Sequence, residues 1–177
     1  MPEDMKPLDA TEESAWRALA RFFVAGPRLL DEDLQRGAQI SLSAYTVLLH
    51  LSEAPGWELR MTELANRAYL SGSRTTRLVD ELIAGRLVRK ERNAADGRGF
   101  DVTLTQEGMA ALRRAYPVHV RSVRTRVLDH VDRSALPCFA QAVIAIAESF
   151  ELPRAGHLAA YRDWPQSGRT ACCDVCS

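Results

Sequence analysis

Two groups of side chains in this sequence have the types and spacing to recognise a polyanion. The first is Ser71, Ser73, Arg74, Thr76 and Arg77, gathered within residues 71–77. The second is Asp96 and Arg98, with Gly97 and Gly99 on either side of the arginine. An arginine fork matches the paired acceptors of a guanine edge or the oxygens of a phosphate, and serine and threonine hydroxyls bond to either. A lone arginine on a thin glycine-flanked loop suits the minor groove of a duplex, where the potential is most negative. Asp96, two residues earlier, is placed to brace it. This is binding chemistry rather than turnover. The chain has no G-x-S-x-G, no phosphate loop and no paired-carboxylate motif, so it is expected not to be an enzyme and to need no cofactor or metal.

Such groups are useful only if rigid elements present them. The pattern predicts a short helix over 63–68, with Thr62 as its cap and Leu64, Ala65 and Ala68 turned inward. Residues 69–72 form a turn, in which Gly72 frees the backbone and Ser71 caps the next helix. That second helix is expected over about 73–84, ended by Gly85. On its wheel Leu78, Val79, Leu82 and Ile83 form an apolar stripe joined by Thr75, while Ser73, Arg77, Asp80 and Glu81 face away. Taken alone, it fits an amphipathic surface helix as well as a helix that reads DNA. The residues after it weigh for DNA: strands at 87–92 and 100–104, with Phe100, Val102 and Leu104 alternating inward, joined by the loop that carries Arg98. Helix, turn, helix and charged hairpin, in that order, are the sequence form of a winged helix-turn-helix.

These residues carry a resemblance. E-L-A, then S-G-S-R-T-T-R-L-V-D-E-L-I-A-G-R-L-V-R-K, then D-G-R, then V-T-L-T-Q-E-G resembles the MarR family of bacterial transcription regulators over about residues 60–108. The flanking helical pattern is similar over roughly 12–150. The resemblance implies a homodimeric, sequence-specific DNA-binding regulator, a repressor on a pseudo-palindromic operator, released by a small-molecule effector. It implies that Ser71, Ser73, Arg74, Thr76 and Arg77 meet the major groove and that Arg98, oriented by Asp96, meets the minor groove. Trp16, Arg21 and His50 are the candidates for lining an effector cavity, although packing explains Trp16 equally well. The redox-sensing members carry their reactive cysteine in the first helix, and this first helix has none.

The expected fold class is mainly α (α+β): a winged helix-turn-helix lobe over about 41–104, with dimerisation helices over about 11–35 and 105–150. Residues 1–10 and 151–177 are expected as flexible ends. The first helix should kink at Gly26-Pro27, and Ser41 should begin a buried helix to about Ser52. Thr105 caps a long helix to about His130, interrupted by Pro117, and Asp132 caps a last helix to about Phe150. The terminal helices hold more apolar surface than one winged-helix core can cover, which motivates the dimer.

Net charge is zero, 23 basic against 23 acidic residues, so the chain is not a uniformly basic binder. Its arginines crowd into 60–99 while the first 35 residues are acidic, and a local basic face is enough to steer toward phosphates. The acidic start is no signal peptide, and no apolar run is long enough to span a membrane; a cytoplasmic location is expected. Cys172, Cys173 and Cys176 crowd the end of the chain, and Cys138 reads as a buried thiol in the last helix. C-x-x-C at Cys173 and Cys176 leaves open a thiol- or metal-sensing regulator, with His157 a distant candidate, against a plain reduced tail. His50 reads as a core or edge histidine, while His119 and His130 share one long helix. A winged helix used only for protein interaction is the other alternative. The basic, hydroxyl-rich start of the second helix speaks against it, because a protein-binding face favours apolar and aromatic groups.

Overall fold

The computed structural model describes residues 6–93 and 99–150. Six helices and a small sheet follow in the order α1 (Ala10–Ala38), α2 (Leu42–Glu53), β1 (Glu58–Arg60), α3 (Met61–Arg67), α4 (Gly72–Ala84), β2 (Val88–Arg92), β3 (Phe100–Leu104), α5 (Gln106–Arg126) and α6 (Leu136–Ser149). The three strands form an antiparallel sheet in the order β1-β3-β2. This is the mainly helical winged helix-turn-helix expected from the sequence. The third strand, β1, was not.

The core lies where α2, α4 and the root of α5 close over one face of the sheet. Val47, Leu48, Leu51, Leu64, Val79, Val88 and Val102 are at most 2% exposed there. Caps explain most of the helix starts. Asp9 accepts from Thr11 and Glu12 N–H, and Glu12 reaches back to Asp9 N–H, so α1 opens with a capping box. Ser41 caps α2 through Ala44 N–H, and Thr105 caps α5 through Gly108 N–H. α1 runs as one helix through Pro27.

Several expectations are corrected. α3 begins at Met61 with no side-chain cap, so Thr62 is not its cap residue. α5 ends at Arg126 and a short 3-10 turn, Leu128–His130, comes next, so His130 does not share a helix with His119. α6 starts at Leu136 with Pro137 in its first turn, not at Asp132. The two glycines of the helix-turn-helix do not take the left-handed backbone. Tyr69 (φ 52) does so after α3, and Arg86 (φ 59) after α4. Each closes a Schellman motif. Leu70 N–H donates to Ala65 C=O and Tyr69 N–H to Asn66 C=O; Leu87 N–H donates to Leu82 C=O and Arg86 N–H to Ile83 C=O. These bonds offset the left-handed cost of about 1 kcal/mol that a side chain incurs. Cys138 is half-buried on α6 and disulfide-bonded, rather than a buried thiol. Residues 1–5, the wing tip 94–98 and the tail 151–177, with its three cysteines and His157, lie outside the described residues.

α1 and α5 pack antiparallel. A Cβ on Gly37 would lie 2.8 Å from a Val118 methyl, so the helices approach closely at that point. One turn further on, Ser122 Oγ donates to Asp33 Oδ2 at 2.5 Å and Arg126 grips both Asp33 oxygens at 2.8 and 3.0 Å. These bonds, Arg126 first, hold the Asp33 carboxyl down at about 2 from its ordinary 3.8. A depressed carboxylate stabilises the fold above its unfolded value and loses that contribution as pH falls from about 4 toward 2. Asp33→Asn is therefore expected to lower stability by about 1 kcal/mol at neutral pH, discounted for solvent screening. The deficit against wild type should shrink as pH drops below 4, as read from urea midpoints measured down the pH series. A constant deficit across that range would remove the charge from the explanation.

α2 and α5 meet at Tyr45 and His119, whose rings lie 4.4 Å apart. Burial raises the Tyr45 hydroxyl to about 12 and lowers His119, whose Nδ1 is buried without a hydrogen-bond partner among the described residues. The imidazole therefore belongs to the packed junction of the helices as a neutral ring. His50, half-buried on α2, sits with Nδ1 3.8 Å from Glu53.

Candidate nucleic-acid interface

The N-terminus of α4 carries an exposed group of hydroxyl and arginine side chains. Ser71 Oγ accepts from Arg74 N–H at 3.4 Å and caps the helix, as its sequence position indicated. Thr75 is fully buried and its hydroxyl donates to Ser71 C=O, so the threonine within the apolar stripe is satisfied by its own helix. Leu78, Val79 and Leu82 complete the buried stripe; Ile83, expected among them, is exposed. That anchoring leaves Ser71, Ser73, Arg74, Thr76 and Arg77 all exposed on one projecting turn and a half.

Their polar atoms are not equally free. Thr76 Oγ1 donates to Gly72 C=O, which keeps its lone pairs for a donor. Ser73 Oγ lies 3.4 Å from Ser71 Oγ. Arg74 leans back toward α2, with Nη2 3.5 Å from Ser43 Oγ. Arg77 makes no ion pair among the described residues and projects its full set of donors into solvent. The unsatisfied N–H groups of the first turn add positive potential at the same end. This corner offers a cationic fork, hydroxyls and backbone donors within a helix width, which suits a nucleic-acid edge or phosphate better than an apolar partner.

The hairpin beside it is braced just past the end of β2, where Asn93 ties β1 to β3. Arg60 Nη2 donates to Asn93 Oδ1 at 3.1 Å, and Asn93 Nδ2 donates to Asp101 Oδ2 at 2.7 Å. Phe100 departs from expectation. It shares a face with Val102 and Leu104 but is 40% exposed, because it lies past the end of the core that covers them. Asp96 and Arg98 fall on the wing tip, outside the described residues.

Trp16, Arg21 and His50 are not gathered into one site. A cleft of about 430 Å³ opens between α1 and the end of α5, lined by Arg21, Phe22, Leu29, Leu30, Val127 and His130 among others. Arg21 is the only one of the three on it; Trp16 is exposed elsewhere on α1. Arg126 also borders the cleft but is engaged by Asp33. Among the described residues no cluster of three or more histidine, cysteine or acidic side chains is arranged to hold a metal, and no helix is long and apolar enough to cross a membrane.

Comparison with known proteins bears on the lobe and on the whole chain. The family model described as MarR family matches residues 38–99. Sco3205, a MarR family transcriptional regulator from Streptomyces coelicolor solved in complex with DNA, is 33% identical, with a TM-score of 0.78. That match covers 87% of this chain and 96% of Sco3205. AbsC, a MarR family transcriptional regulator from the same organism, is 32% identical with a TM-score of 0.74, over 82% of this chain and 97% of AbsC. The HTH-type transcriptional repressor YetL of Bacillus subtilis (strain 168) is 28% identical over 96 residues, 54% of this chain and 58% of YetL, so the match spans less than two thirds of that relative.

Proposed function

The chain belongs to the MarR family of transcriptional regulators, and on that premise we propose that it is a sequence-specific repressor that binds duplex DNA as a homodimer. The observation that carries this reading is the start of α4, where Arg77 makes no ion pair among the described residues and stands among exposed hydroxyls on a helix anchored by its buried far half. Sco3205 was solved on DNA, and YetL is a repressor; both support the same role here. In this reading Ser71, Ser73, Arg74, Thr76 and Arg77 meet the major groove, and Arg98, steadied by Asp96, enters the minor groove.

The lobe from about 41 to 104 reads DNA, and α1, α5 and α6 join two copies. The support is α6: none of its residues is buried, and Phe139, Val143 and Ile146, with Phe150 at its C-cap, form an exposed apolar stripe at helical spacing. A two-fold pair of α4 helices would meet half-sites about one helical turn apart, so the operator is a pseudo-palindrome. An effector finds its place in the cleft that holds Arg21, between helices of the dimerising part. A ligand there would alter the spacing of the two lobes rather than touch DNA.

The test is selection of binding sites from random duplex DNA with the purified protein, followed by Arg77→Ala on the selected site. Arg77 is exposed and makes no ion pair among the described residues, so the substitution is expected to leave the melting temperature within a degree or two. It should cost about 1–3 kcal/mol of binding, confined to one base position in each half-site. Equal weakening on all sequences would reassign Arg77 to a phosphate. Failure to enrich any duplex would overturn the reading.

A further inference from the structure

Four side chains form a line from the outer face of α4 to the root of the wing. Asp80 Oδ1 lies 3.6 Å from Lys90 Nζ. Lys90 Nζ stands 4.9 Å from the centre of the Phe100 ring, and the Arg92 guanidinium carbon stands 5.9 Å from the same centre. Strand register accounts for the arrangement. Val88 pairs with Leu104, Lys90 with Val102 and Arg92 with Phe100, so all six share the sheet face that covers the core. The first pair is buried, the second marks the core's edge, and the third lies outboard of it. A phenyl ring left there is covered by two cations instead of by apolar neighbours.

The two cations differ in what answers their charge. Lys90 is 20% exposed and is paired with Asp80. Arg92 is exposed and makes no ion pair among the described residues; its guanidinium stands over the Phe100 ring, within cation–π range. Cation–π attraction to a ring biases where the guanidinium sits and leaves its N–H donors free, which lowers the entropy lost when those donors are used. The proposal rests on the DNA reading above. With the start of α4 in a major groove and the wing tip in the neighbouring minor groove, the strand between those grooves passes the line that joins them. What that strand presents is phosphate.

We propose that Arg92 is a further DNA contact, made to a backbone phosphate between the two grooves. Phe100 and the Asp80–Lys90 bridge are positioning residues that hold Arg92 in place and fix the wing relative to α4. The contact adds affinity and register and carries no base preference.

Fluorescence anisotropy of the full chain on its selected duplex, titrated from about 50 to 200 mM salt, tests this. Arg92→Gln is expected to reduce the slope of log Kobs against log salt by about 0.9 per protomer and the low-salt affinity by about tenfold, equally on the selected site and on a scrambled duplex. Arg92→Lys, which keeps the charge, should retain the wild-type slope. Phe100→Tyr keeps the ring face and should behave as wild type; Phe100→Leu should lose part of the slope without a matching loss of melting temperature. An unchanged slope in Arg92→Gln, with Arg77→Ala still losing its base, overturns the proposal and leaves the DNA reading standing. A loss confined to one base position also overturns it, because Arg92 would then be a base reader. A wild-type slope in Phe100→Leu overturns the positioning role. If wild type binds no duplex, both readings fall together.

Discussion

Gly108→Ala is expected to cost more than about 3 kcal/mol, a large share of the 5–15 kcal/mol that holds a domain of this size together. A Cβ at this position would lie 2.0 Å from Leu87 O, 3.0 Å from Leu87 C and 2.7 Å from Leu104 Cδ1. None of the three can move easily. Leu87 O accepts from Thr105 N–H at 3.1 Å and lies 3.0 Å from Thr105 Oγ1, which caps α5, while Leu104 is 3% exposed in the core. Relief would require α5 to lift off the corner where β2 begins, opening the seam between the winged lobe and the helices after it. The measurement is the urea midpoint of Gly108→Ala beside Gly72→Ala, whose added Cβ meets nothing within 4 Å. Gly72→Ala should shift stability by less than about 0.5 kcal/mol. A Gly108→Ala protein with the wild-type midpoint would falsify the close approach.

The same corner shows what a sequence can and cannot disclose. Thr105, three residues before Gly108, was readable as a cap because a threonine ahead of a helical run has a local job. The reason for Gly108 was not readable, because its neighbours Leu87 and Leu104 reach it only through the sheet. The helix-turn-helix, the hairpin and the buried stripe of α4 came through for a similar reason: each is written in periodicity over ten or so residues. The glycines misled: Gly85 stands beside Arg86, which takes the left-handed backbone, and Gly72 lies three residues past Tyr69, which does so in the turn. Tyr69 and Arg86 take that conformation because the Schellman bonds select the position, whatever side chain occupies it. β1 is three residues long, too short for alternation to register, and its pairing with β3 is a tertiary fact. Phe100 was placed on the correct face, but the sequence holds no record of where the core ends. For the site, the exposed turn 71–77 was legible from the helical wheel. The line Asp80–Lys90–Phe100–Arg92 was not, since it joins a helix to two strands.

If α6 joins two copies as proposed, replacing Val143 and Ile146 together by glutamate is expected to leave the protein monomeric at micromolar concentration, where wild type is a dimer. Both lie on the α6 stripe with Phe139 and Phe150, and their exposures of 44% and 38% leave apolar surface that the single chain does not cover. Burying a carboxylate in such an interface costs several kcal/mol in each copy, more than two exposed valine or isoleucine side chains return. The isolated chain should tolerate the change, because no α6 residue contributes to its core. The DNA consequence is the larger effect. A dimer binds its second half-site at an effective concentration in the millimolar range, and losing the link forfeits about 10²–10⁴ in affinity on a two-half-site duplex. A single half-site should bind the variant and wild-type lobes within a few fold of each other. Sedimentation velocity reads the first outcome and anisotropy on full and half operators reads the second. Gln141→Glu, away from the apolar stripe of the same helix, is the control for added charge and should stay dimeric. A double variant that remains a dimer would remove α6 from the interface. A monomeric variant with undiminished affinity for the full site would show that the two half-sites are read independently, because an intact α4 would then bind without the geometry that two-fold pairing supplies.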